Sequence, residues 1–186
     1  MLPTHVLMDE HRAVERVLRV LDQAADRLEA GDAVPPNIFE DSLDFLSNFA
    51  DKCHHGKEEE LLFPALERAG VPKDRGPIGM MLIEHEEGRQ HLRAMAEALD
   101  GYRKGNKAAR KSLAENAKAY AALLSQHIQK EDHVLFPMAE RLLSAEEKEY
   151  LVEGFGDIER DRIGPGVHER YHQMIDRLEK ATAQTG

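Results

Sequence analysis

The sequence predicts an all-α protein: an antiparallel up-down four-helix bundle with a short C-terminal helical extension. Three observations predict it. Apolar residues recur alternately three and four positions apart through four long segments. Gly, Pro and Asn break those segments at short intervals. No stretch alternates with period two over a useful length, so no strand is expected. A single domain over residues 1–186 follows, with the bundle at about 3–142 and the extension at about 145–184.

The first helix is read from Leu7, His11, Val14, Leu18, Leu21, Ala25 and Leu28, with Gly31-Asp32 as its stop and Pro35-Pro36 before the next start. The second carries Leu43, Leu46, Ala50, His54, Glu58, Leu61 and Ala65 on one face, and Val71 to Pro77 form a loop. The third carries Ile78, Met81, His85, Gly88, Leu92, Met95, Leu99 and Tyr102. Gly105-Asn106 end it. The fourth carries Leu113, Ala117, Tyr120, Leu124, His127, Glu131, Val134 and Met138. In the extension, a helix is expected from Glu146 to Phe155, a loop from Gly154 to Gly166 and a last helix from Val167 to Ala183.

Composition narrows the function. Hydrophobic residues make up 41% and charged residues 32%, which fits a globular chain and argues against disorder. The net charge of -10 argues against nucleic acid or an anionic membrane as a partner, since both need a basic face. The N-terminus lacks a basic region followed by an apolar one, and no run of about 18 apolar residues occurs, so a cytoplasmic protein is expected. Cys53 is the one cysteine, which excludes a disulfide framework and Cys-rich metal sites. It is read as a buried thiol rather than a ligand.

The chain repeats itself. Glu10-His11 matches Glu84-His85 at an offset of 74, and the run from His54 matches the run from His127 at an offset of 73. Pro64 and Pro137 fall at the same step of each half, where a proline removes a backbone hydrogen bond and bends a helix.

On each seam a place that suits Leu holds His or Glu instead. His11 interrupts the first and His85 the third; His54/Glu58 and His127/Glu131 stand four apart on the second and fourth. Buried carboxylates without partners cost several kcal/mol each. Four imidazoles and two carboxylates at one level are best explained by cations, and mixed nitrogen and oxygen donors suit first-row metals, iron among them. Six ligands exceed one tetrahedral zinc, and a carboxylate can bridge two metals, which points to a dinuclear site. His55 and Glu59 have the same spacing as His54 and Glu58. Counting back from the shared Leu-Phe-Pro selects His54 and Glu58, leaving His55, Glu59 and Glu60 as neighbours or surface groups. His5, His91 and His133 lie off the seams.

These motifs resemble the hemerythrin-like proteins with the HHE cation-binding domain: His11, His54-x-x-x-Glu58 before Leu-Leu-Phe-Pro, His85 in Glu-His-Glu-Glu-Gly-Arg, and His127-x-x-x-Glu131 before Val-Leu-Phe-Pro. The resemblance spans roughly residues 5 to 141. It implies two irons per chain, two bridging carboxylates, a bridging oxo or hydroxo, and a position for dioxygen or another small ligand. The oxygen-carrying branch has His-x-x-x-His on the third helix, whereas Arg89 stands four after His85 here, and Gly88 leaves room on the same seam. One histidine is therefore missing, which predicts a more reactive site with short-lived dioxygen adducts.

His168 or His172 in the extension is a possible additional metal ligand. The run His168-Glu169-Arg170-Tyr171-His172 also spells the zinc-hydrolase motif, with no third ligand downstream. The ferritin-like alternative needs Glu-x-x-His on two helices, and only Glu169 to His172 has it. Three functions are therefore in view. The first is a di-iron protein that binds dioxygen, nitric oxide, peroxide or iron itself for sensing, storage or stress response. The second is a di-iron redox enzyme for peroxide decomposition or repair of nitrosative or oxidative damage. The third is a zinc hydrolase built on the extension.

Overall fold

Helix α1 (Pro3–Ala30) buries Leu7, His11, Val14, Leu18, Leu21, Ala25 and Leu28, the seam expected from the sequence. The coordinates are a computed structural model that describes residues 1–183; Gln184, where the extension was expected to end, lies outside the described residues. Gly31 ends α1 at φ 95°, and the Gly31 and Asp32 amides donate back to Leu28 and Arg27. That left-handed turn suits glycine.

Helix α2 runs continuously through Pro36–Phe45, Leu46–His55, Glu58–Leu62 and Phe63–Arg68. Helix α3 is Pro77–Arg103. Helix α4 joins Lys107–Lys130, Glu131–Leu135 and Phe136–Leu142, and Asn106 caps its first turn by accepting from the Ala108 and Ala109 amides. Short loops connect these four helices, which form the bundle. Among the described residues there are no strands.

The segments Leu46–His55, Glu58–Leu62 and Glu131–Leu135 are π-helical. The Phe63 amide donates to the Glu58 carbonyl and the Phe136 amide to the Glu131 carbonyl, five residues back in both halves. Pro64 and Pro137 follow directly. A π turn holds about one residue more than an α turn, so everything after it rotates to a new face. Val134, expected on the seam, turns outward and is 51% exposed, while Leu61 is only partly buried and lies against Gly154. Leu62 and Leu135, one residue later, are buried in their place.

The extension also differs from expectation. Helix α5 (Ala145–Arg162) begins with a Ser144/Glu147 capping box and continues through Gly154 and Gly156. Gly154 serves close packing here: a Cβ on it would come within 2.8 Å of Leu61 Cδ1. Helix α6 (Val167–Ala183) buries Val167, Tyr171, Met174, Ile175 and Leu178. Tyr171 packs edge-on against Phe45 and Phe49, and Arg16 of α1 binds Asp176 and Glu179 at 2.6 Å each.

Two separate apolar clusters fill the bundle. One includes Val14, Ala50, Leu92, Leu124 and Ile128; the other includes Leu7, Leu62, Met81, Leu135 and Phe136. Between them, on all four bundle helices, lies a layer of buried His and Glu. Among the described residues, no helix is long and apolar enough to cross a membrane.

Candidate metal centre

The polar layer contains two groups of donor atoms that share one residue. In the first, donors of His11, His54, Glu58 and Glu131 all lie within 4.8 Å of one another; in the second, so do donors of His55, Glu58, His85 and His127. Glu58 faces His54 with Oε1 at 3.6 Å and His85 with Oε2 at 3.5 Å. Glu131 faces His127 with Oε1 at 3.2 Å and His11 with Oε2 at 3.1 Å. Each carboxylate therefore spans from one group to the other. All six residues expected from the seams converge at this level.

A second ring of carboxylates orients the imidazoles. His11 Nδ1 donates to Asp132 at 2.7 Å, His54 Nδ1 to Glu10 at 2.8 Å, His85 Nδ1 to Glu59 at 2.7 Å and His127 Nδ1 to Glu84 at 2.9 Å. His55 Nδ1 faces Asp51 at 3.4 Å. Fixing Nδ1–H on a carboxylate leaves Nε2 as the free donor atom and makes it more basic, the usual support for a metal-ligating imidazole. Cations hold the carboxylates in turn: Arg12 on Asp132, Lys57 on Glu10, Lys130 on Glu84, and Arg89 on both Glu59 and Asp51. The pairs Glu10/His54/Lys57 and Glu84/His127/Lys130 are the same trio in the two halves of the repeat.

The inner atoms fit cations. The Glu58 and Glu131 carboxylate oxygens and His11 Nε2 are buried without a hydrogen-bond donor, a state that costs several kcal/mol per group unless something charged pairs with it. The Nε2 atoms of His85 and His127 face each other at 3.1 Å. Two imidazole nitrogens with no proton of their own are stable there only with a proton or metal ion beside them.

Titration behaviour without metal reports the same strain. Burial, and then Glu131, pushes the Glu58 carboxyl well above its usual range. Burial would raise Glu131 too, but His127 and His11 hold it well below. Burial lowers His54 to about 4, and burial with the neighbouring His55 and His127 lowers His85 well below the ordinary value. His127 goes the other way, to about 9, because Glu131 and Glu84 outweigh its burial. One carboxyl of the pair thus tends to hold a proton that a bound cation would displace.

His55, expected as a neighbour of the site or a surface group, lies within the layer itself. It is 4% exposed, its ring stacks on His85 with centroids 3.8 Å apart, and its donor atom belongs to the second group. The repeat could not reveal it, because Ile128 holds the equivalent place in the other half. The available signal was the His-His pair itself, since a π turn can aim two consecutive residues inward. The room at Gly88 is filled by Tyr120 and Leu124, whose atoms would lie 3.4 Å from a Cβ. Arg89 points to Asp51 and Glu59 instead of the centre. His168 sits beside Glu159 at 3.4 Å and against the Phe49 ring, and its donor atom forms a third group with those of Glu10 and Glu159 outside the two central ones, while His172 is exposed and belongs to no group. Cys53 is buried and belongs to no donor group, and burial pushes its thiol up to about 12. His5 and His133 are exposed, and His91 bonds Asn116 at 2.9 Å.

A helical bundle with buried, carboxylate-supported imidazoles around two shared glutamates defines a class of cation-binding proteins. The chain belongs to the hemerythrin family: the model of the hemerythrin HHE cation binding domain matches residues 2–139. It is 29% identical over 175 residues to an uncharacterized protein of Mycobacterium tuberculosis, covering 94% of this chain and 68% of that one, and equally to one of Mycobacterium bovis. It is also similar to the iron-sulfur cluster repair protein YtfE of Salmonella schwarzengrund, at 26% over 139 residues, 73% of this chain and 63% of that protein.

Proposed function

We propose that this chain holds a non-haem di-iron centre and uses it to bind a small oxidant or diatomic ligand: dioxygen, nitric oxide or peroxide. In this reading His11 and His54 serve one iron, His55, His85 and His127 the other, and Glu58 and Glu131 bridge them. The carrying observation is that both glutamates face both donor groups with oxygens that have no other partner. Iron suits five imidazole nitrogens and four carboxylate oxygens better than zinc, which closes at four donors in structural sites. The bound pair would supply electrons and Lewis acidity. The chain's own contribution is to exclude water with two apolar layers, fix each Nε2 through its carboxylate, and keep the charged second ring neutralised.

The donor count sets how many positions would stay open. Two six-coordinate ions have about twelve positions. Nine side-chain donor atoms and a shared solvent oxygen fill about eleven, leaving about one. His55 therefore takes the place assigned to the missing histidine, and no ligand from the extension is needed. Metal analysis tests the centre: aerobically purified protein should carry close to two ions per chain, mostly iron. A ratio near one, or zinc alone after expression with ample iron, would sink the dinuclear reading. Optical spectra before and after dioxygen, peroxide and nitric oxide then identify the ligand.

The similarity to YtfE favours a second reading, redox repair at damaged iron centres. Turnover with a damaged iron–sulfur protein, absent for dioxygen alone, would select it over binding and sensing.

A further inference from the structure

The carboxylates of the second ring are buried except at one corner. The side chains of Glu10, Glu84 and Asp132 are between 4% and 8% exposed. The carboxylates Asp51 and Glu59 are 20% and 27% exposed. This corner lies under a surface cavity of about 230 Å³ lined by Ser47, Asp51, Arg89 and Arg93. It is also where the two-fold repeat breaks: Arg89 corresponds to Glu15, and His55 to Ile128.

One guanidinium closes the corner. Arg89 Nε donates to Asp51 at 2.8 Å and its terminal nitrogen to Glu59 at 2.6 Å. Asp51 is the carboxylate facing His55 Nδ1, and Glu59 is the one holding His85 Nδ1. Both imidazoles belong to the same donor group, and their rings are stacked. In the other group, Arg12 and Lys57 each hold one carboxylate and thus one histidine.

We infer that Arg89 is a positioning residue that clamps two of the three histidines of one metal position and so governs how firmly that position alone retains its ion. The planar fork is what permits it: Arg presents two donor edges to two carboxylates at once, while the Lys ammonium is a single point. Without the fork, Asp51 and Glu59 repel each other across a half-open corner. His55, already on a long 3.4 Å contact, then loses its orientation first.

The inference rests on the dinuclear reading, and the test separates the two. Iron-loaded protein is mixed with an excess of a strong ferrous chelator under reducing, anaerobic conditions, and release is followed by absorbance. Arg89→Met should release about half of the iron at least tenfold faster than the parent does and the remainder at the parent rate, in line with the ~10–100-fold effect of outer-ring partners. Arg89→Lys should fall between. Arg93→Met, which removes an exposed arginine paired only with Glu86, should behave as the parent. Release of both irons together, or no change in either, overturns the clamp. Should Arg89→Met misfold by circular dichroism, Arg89→Lys and Glu59→Gln carry the same selective-release prediction. A parent holding fewer than two irons defeats the dinuclear reading itself, before any variant is compared.

Discussion

Replacing Leu135 and Val134 in turn by Ala tests whether the π turns set the register of the bundle below the site. The heptad-like spacing of α4 put Val134 on the seam. The structure instead buries Leu135, 1% exposed, within the apolar cluster below the polar layer, and leaves Val134 51% exposed. A buried Leu→Ala change removes most of a side chain from a close-packed core and costs ~2–5 kcal/mol. An exposed Val→Ala change falls within about 0.5 kcal/mol, and the better helix propensity of Ala offsets part of that. For a domain of this size, ~3 kcal/mol lowers Tm by roughly 6–12 °C. Thermal denaturation by circular dichroism on metal-free protein measures the difference without a contribution from bound metal. Leu62→Ala, at the corresponding fully buried position of the first half, should carry a similar cost. If Val134→Ala costs more than Leu135→Ala, the helix follows the α register and the account of how Glu131 and its neighbours face the centre fails.

Three other outcomes follow. His55→Ala should reduce iron from about two to about one per chain, whereas His168→Ala and His172→Ala should leave it unchanged; metal analysis reads both. Metal-free protein should be most stable near pH 6.5 and lose stability on either side. His127, raised to about 9, contributes stability that is present below about 6.5 and lost as pH rises through 9. His54, lowered to about 4, contributes stability that is present above about 6.5 and lost as pH falls through 4. Each shift corresponds to about 3 kcal/mol. Metal-loaded protein should give a flatter curve, and a metal-free curve that is flat from pH 5 to 9 would refute the account. Cys53, a buried thiol pushed up to about 12, should resist alkylation at pH 8 in the folded protein and react on unfolding, as counted by mass spectrometry.

The helices and the six central residues were legible because burial imposes a period. Leu7 to Leu28 on α1 reads as a stripe since each of those side chains must leave water, and a His or Glu placed within such a stripe is conspicuous. The π turns were not legible. Nothing in Glu58–Leu62 or Glu131–Leu135 breaks the three–four spacing, so Leu61 and Val134 looked inward by count. The hint was Pro64 and Pro137, whose missing amides were read as bends. Gly154 was read as a helix end because an isolated glycine usually weakens a helix; its contact with Leu61 shows that here it permits close approach. Asp132, Glu10 and Glu84 stand one residue from a seam, where a carboxylate meets either solvent or a neighbouring imidazole. Only three-dimensional contact distinguishes the two.

The same asymmetry that hid His55 bears on where a small ligand would bind under the proposed ligation. The repeat supplies two equal halves, each with one Glu-supported His on α2 or α4 and one His on α1 or α3. Equal halves would give two equivalent positions. His55 would make them unequal, with three imidazoles for one ion and two for the other. With both glutamates and a solvent oxygen shared, the three-histidine position would be filled and the open position would fall beside His11 and His54. His11 there stacks on Phe136 at 5.4 Å, and the His54 side is sealed by Lys57, which is fully buried on Glu10. The corner open to solvent at Arg89 lies by the other position. Under that ligation the saturated ion would sit beneath the corner at Arg89, and the unsaturated one beside Phe136 and the buried Lys57–Glu10 pair. Such a division would let the protein admit a small neutral molecule while denying bulk water to the reactive ion. Phe136→Ala should therefore change the rate of nitric oxide binding, followed by stopped-flow absorbance, while Arg93→Met should not; equal rates in both variants would place the open position elsewhere.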